Sequence, residues 1–178
     1  MRLHTTRVGV SVMMLSICGL WLPEASVADS SPCNLQESRK VIFSNPDLED
    51  RVVVEIRGKT CQEATLSVEI QNLDGLVLYR FEQPLKNGFT DEVSKPDALR
   101  VLESRLGGFA PTSELGEWGT AFDTWDPSED YLVSRSEHER LKMQDWVSYS
   151  HQTGYEGGVT VVYDQNAERV VTVIKGSN

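Results

Sequence analysis

Only three cysteines occur among 178 residues, Cys18, Cys33 and Cys61, and none forms a Cys-x-x-Cys pair. That leaves no ordinary zinc-ligand spacing and no thioredoxin-like redox motif. Positive charge is also scarce. Lys and Arg total 17 against 27 Asp and Glu, a formal charge of −10. A nucleic-acid surface needs clustered cations to displace counterions from phosphates, so no nucleic-acid partner is expected. There is no Gly-x-Ser-x-Gly elbow for a serine hydrolase. The His138-Glu139 pair lacks the second histidine of a zincin helix, because Lys142 stands four residues on. The glycines at 154, 157 and 158 enclose Glu156, whose carboxylate repels a phosphate. The acids at 123, 126, 129 and 130 lack the alternating pattern and central glycine of a calcium loop. No cofactor and no metal ligand set is expected.

Long apolar runs are missing too, except at the start. Arg2 and Arg7 precede an apolar stretch over residues 8–22, and Ser26 and Ala28 follow Pro23. This positive, apolar, small-residue order is that of a secretory signal cleaved after residue 28. At about 15 residues the run is short for a spanning helix of about 20. The expected product is one exported domain over residues 29–178, periplasmic or secreted, with no stable membrane insertion after cleavage. A chain of about 150 residues is long enough for one self-sufficient core. In an oxidising compartment the two remaining cysteines, Cys33 and Cys61, are expected to form a disulfide.

Hydrophobic periodicity then sets the fold class. Val52, Val54 and Ile56 alternate with polar neighbours, as do Ala64, Leu66, Val68 and Ile70. Asp74-Gly75 marks a tight turn, after which Val77, Tyr79 and Phe81 run back. These segments predict an antiparallel meander, with a short edge strand over 40–43. Ser94, Pro96 and Asp97 open a helix whose buried stripe is expected to be Leu99, Leu102 and Leu106, stopped by Gly107-Gly108. Ser136 with Glu139 predicts the cap of a second, shorter helix. Residues 146–151 alternate again, and residues 159–163 and 170–174 flank a hairpin loop at 164–168. Strands, helix, short helix and strands in this order predict an α+β domain with a mainly antiparallel sheet, built from an N-terminal meander and a C-terminal hairpin.

Residues 107–134 stand apart. They hold six acids and no Lys or Arg, beside Trp118, Trp125 and Tyr131. A long irregular stretch in a compact domain is usually functional. Acids around aromatics suit a protein partner with a basic surface, because charge speeds encounter and Trp anchors contacts. The expected binding residues in this stretch are Trp118, Asp123, Trp125, Asp126, Glu129, Asp130 and Tyr131. His151 and Tyr155, in or beside a glycine-rich connection between two strands, complete the set. The function expected is that of an acidic, non-catalytic binding protein, of inhibitor or immunity type, acting on a cationic envelope partner. An envelope structural or assembly factor is the second reading, and a hydrolase with a carboxylate site is the third. The sequence leaves the oligomeric state open.

Overall fold

The computed structural model describes residues 31–118, 131–155 and 157–176. The signal-like N-terminus lies outside them. Eight strands form two four-stranded antiparallel sheets. The first is a meander of β1 (Cys33–Val41), β2 (Asp50–Gly58), β3 (Thr65–Gln71) and β4 (Val77–Pro84). The second contains β5 (Phe109–Pro111), β6 (Val147–Gln152), β7 (Gly158–Asp164) and β8 (Arg169–Lys175). Helix α1 (Lys95–Leu106) links the sheets, and α2 (Arg135–Lys142) precedes β6. The α+β class and antiparallel pairing expected from the sequence are both present. Among the described residues no helix is long and apolar enough to cross a membrane.

The period-two pattern of β2 and β3 determines which face of the first sheet is covered. Val52 pairs with Ile70, Val54 with Val68 and Ile56 with Leu66, and all six are fully buried. Across β3, Ile70 opposes Tyr79 and Val68 opposes Phe81. One apolar face therefore runs from β2 to β4. Helix α1 packs on β1 and β2. Ring contacts of Tyr79 with Tyr149, and of Phe81 with His151, bring β6 against β4. The inner face of the second sheet supplies Tyr149, Val159 and Val161 to this first core.

The second sheet is covered on its other face as well. Val162, Val173 and Ile174 meet Leu115, Tyr131, Val133 and Leu141 in a second core. Arg140 of α2 reaches over to β7, donating from Nη1 and Nη2 to the two carboxylate oxygens of Asp164 at 3.0 and 2.7 Å. These bonds hold the Asp164 carboxyl at about 2, below the usual carboxylate range.

Several local readings are corrected. Strand β1 spans nine residues instead of the short segment at 40–43. It is a mostly exposed edge strand, so it carries no apolar alternation for a sequence to display. In α1 the buried side chains are Ala98, Leu102 and Arg105, while Leu99 is 42% exposed. The helix is rotated so that the 98, 102, 105 stripe faces inward. Its cap is as expected: Ser94 Oγ accepts from the Asp97 amide, and Asp97 accepts from the Ser94 amide at 3.0 Å. Helix α2 is capped by Ser134, whose Oγ accepts from the Glu137 amide, and not by Ser136. Both serines have a Glu three positions on, and the register chosen is the one that buries His138 and Leu141. The stretch after α1 also contains β5, which the sequence reading leaves as loop.

Gly75 adopts φ +81° in the β3–β4 turn, a conformation that costs glycine little. Gly108 is required for a different reason. A Cβ there would lie 2.1 Å from the Ser150 carbonyl oxygen and 3.0 Å from the Tyr149 ring. The Ser150 amide donates to the Gly108 oxygen at 2.7 Å, so neither backbone can move away without losing this bond. Gly108→Ala is expected to lower unfolding free energy by about 2 kcal/mol in urea titration. An unchanged midpoint would mean that β5 is not held against β6 in solution.

Candidate functional site

The C-terminal end of α1, the Gly107-Gly108 link and the facing ends of β6 and β7 enclose an open cleft of about 670 Å³. Ligand sites typically occupy about 300–1,000 Å³. Its lining includes Ser104, Arg105, Ser150, His151, Gly158 and Thr160, and among the described residues no carboxylate lines it. Each group has a local cause. Arg105 follows Leu102 by three positions on the inward stripe of α1, so its side chain is carried into the interior and is 4% exposed. On β6 the alternation sends Tyr149 and His151 into the first core while Ser150 is exposed. Ser150 Oγ and Thr160 Oγ1, on paired positions of β6 and β7, share a hydrogen bond of 2.9 Å.

His151 is held at both nitrogens. Nδ1 lies 3.0 Å from the Gln152 carbonyl oxygen, which can only accept, so Nδ1 carries the proton. Nε2 then accepts from the Tyr79 hydroxyl at 2.8 Å. Burial favours the neutral ring and pushes its pKa down to about 4. Desolvation likewise raises Tyr79 and Tyr149, so both phenols stay neutral. The Tyr149 hydroxyl donates to the Arg105 carbonyl at 2.9 Å, tying the end of α1 to β6.

The Arg105 guanidinium is treated differently. Its Nε has no hydrogen-bond partner, and none of the ion pairs among the described residues involves it. Desolvation lowers its pKa, yet an arginine stays charged at any physiological pH. A buried arginine whose Nε is unpartnered, and which forms no ion pair among the described residues, thus lines an open cleft.

The residues singled out from the sequence fall in two places. Trp118 packs against the second core and Tyr131 is buried within it, with ring centroids 5.4 Å apart. The Tyr131 hydroxyl donates to the Glu117 carbonyl at 3.1 Å. His151 is buried on the other face of the second sheet, against the rings of Tyr79, Phe81 and Tyr149 of the first core. Tyr155 is 64% exposed in the β6–β7 connection. Asp123, Trp125, Asp126, Glu129 and Asp130 lie outside the described residues. His138 is fully buried in the second core, edge-on to Tyr131, and burial keeps it neutral. Among the described residues no group of three or more potential ligands is placed to hold a metal ion.

Arg105 is the residue the sequence reading passes over. The signal is present, since Ala98, Leu102 and Arg105 are spaced by four and three, as a single helical stripe requires. Weighting by leucines alone selects the neighbouring stripe. No protein-family model matches the chain, and neither a curated protein nor a solved structure matches it.

Proposed function

We propose that this chain is an exported binding protein that engages a protein partner with a basic surface and performs no chemistry on it. The observation that carries the reading is the acidic stretch of the sequence, bracketed by two aromatic residues that meet on the second core. Trp118 and Tyr131 are thirteen positions apart, yet their rings stack at one place on the second core. The acids at 123, 126, 129 and 130 all belong to the segment between them. Four carboxylates thus fall within eight consecutive positions of a chain of net charge −10.

Other observations support parts of this reading. A Cys33–Cys61 disulfide and the lack of a membrane-crossing helix among the described residues fit an exported protein. His151 is engaged by a phenol and a carbonyl, not by a serine hydroxyl. Among the described residues the cleft lining has no carboxylate pair of the kind a glycosidase uses.

The test is association kinetics with basic proteins at increasing salt. Association is expected to slow at least tenfold from low to physiological ionic strength. Neutralising the four acids together (Asp123→Asn, Asp126→Asn, Glu129→Gln, Asp130→Asn) is expected to slow it at low salt and flatten the salt dependence. Association that ignores both salt and the four substitutions would refute the reading.

A further inference from the structure

We propose that the cleft at the C-terminal end of α1 binds a hydroxylated monocarboxylate of about sugar-acid size, with Arg105 as its counter-ion. The site is separate from the acidic stretch, and the inference does not depend on the partner proposed above.

The first ground is the unpaired guanidinium. Burying a cation without a carboxylate or a full set of hydrogen bonds is costly, and folded chains normally pair such groups. Six exposed or half-exposed cations of this protein, Lys40, Arg57, Arg80, Arg100, Arg140 and Lys142, each sit on a carboxylate of the same chain. The deeply buried Arg105 does not. Its helix end is also fixed in place, since the Arg105 carbonyl accepts from Tyr149. A cation that is desolvated, positioned and unpaired is preorganised for an anion, because little of its ordering remains to be done on binding.

The charge of the ligand follows from the lining. Among the described residues that line it, Arg105 is the only cation and none is an acid. His151 is neutral, with Nε2 occupied by Tyr79. One positive charge balances a monoanion. A phosphate monoester, with close to two negative charges, would leave an unbalanced charge in a desolvated site. A carboxylate also matches the planar fork of a guanidinium. The remaining polar groups, the hydroxyls of Ser104, Ser150 and Thr160, can each donate as well as accept. They suit ligand hydroxyls, and the cleft volume admits a six-carbon acid.

Calorimetric titration of the full chain tests this, with glucuronate as the probe and glucose and glucose 6-phosphate as controls. Glucuronate is expected to bind more tightly than either control. Arg105→Met, which keeps length and removes charge, is expected to weaken glucuronate binding about 10–100-fold. The same variant is expected to melt no lower than the parent, because it removes an uncompensated buried charge; a purely structural arginine would give a lower melting temperature. Gly158→Val supplies a second variant. A Cβ at Gly158 meets only the His151 oxygen, at an ordinary 3.6 Å, so the strand accommodates it while the cleft is filled. It too is expected to weaken glucuronate binding at least tenfold, and it decides the matter if Arg105→Met does not fold. Glucose or glucose 6-phosphate binding as tightly as glucuronate, no glucuronate binding, or unchanged binding in a folded variant would each overturn the assignment.

Discussion

Replacing Cys33 and Cys61 together by alanine is expected to lower the stability of the folded chain by about 3 kcal/mol. The two residues are bonded across a separation of 28. Closing a loop of that length removes conformational freedom from the unfolded chain, and the loss grows only slowly with loop size. The location adds to the effect. Cys33 begins the edge strand β1, opposite Gly58, and Cys61 follows the end of β2. The bond therefore ties the first residue of an exposed edge strand to the sheet at the point where fraying would start. Both sulfur-bearing side chains are buried in the first core. Total stabilities of single domains are about 5–15 kcal/mol, so a loss of this size is a large fraction. Urea titration of the double variant against the oxidised parent measures it. A midpoint within error of the parent would show that the loop is already constrained in the unfolded chain.

The second large effect is expected on acidification. His151 keeps its neutral form in the fold, with a pKa pushed down to about 4 from an ordinary 6.5. Between these values the unfolded chain takes up a proton that the folded chain refuses, so falling pH favours unfolding. The stability associated with the neutral ring is complete above pH 6.5 and is lost as pH falls towards about 4, for a total of about 3 kcal/mol. His138, also held neutral by burial, acts in the same direction. Asp164 contributes at lower pH. Its carboxylate is stabilised by Arg140, so that contribution is present above the usual carboxylate range and disappears as pH falls towards about 2. Thermal melts across this range are expected to show a steep decline beginning below pH 6.5. His151→Gln, whose amide oxygen can accept from Tyr79, should flatten the part between 6.5 and 4. A profile that the substitution leaves unchanged would show that His151 titrates normally in the fold.

The half-buried segments were legible in the sequence because strand period and burial are the same signal. Val52, Val54 and Ile56, or Leu66, Val68 and Ile70, could face only one way once one face of the sheet was covered. The turn at Gly75 and the Ser94 cap were legible because each is a local arrangement of a few adjacent residues. Strand β1 and strand β5 were not. An exposed edge strand needs no apolar alternation, and a three-residue strand is too short to show a period. Both are specified by their partners β2 and β6, which lie elsewhere in the chain.

By itself the sequence determined the acidic character of the chain, the antiparallel class, the cysteine pairing and the concentration of acids and aromatics after α1. These follow from composition and from periods of a few residues. Only the tertiary structure decided that Arg105 is an inward residue and Leu99 an outward one, since a helix with two candidate stripes takes its rotation from the sheet it covers. It also decided that His151 meets Tyr79, 72 positions away, and that Trp118 meets Tyr131. Contacts of this kind arise where two sheets and a helix share one interior. The free energy that selects them belongs to the packed whole and is not encoded in either neighbourhood alone.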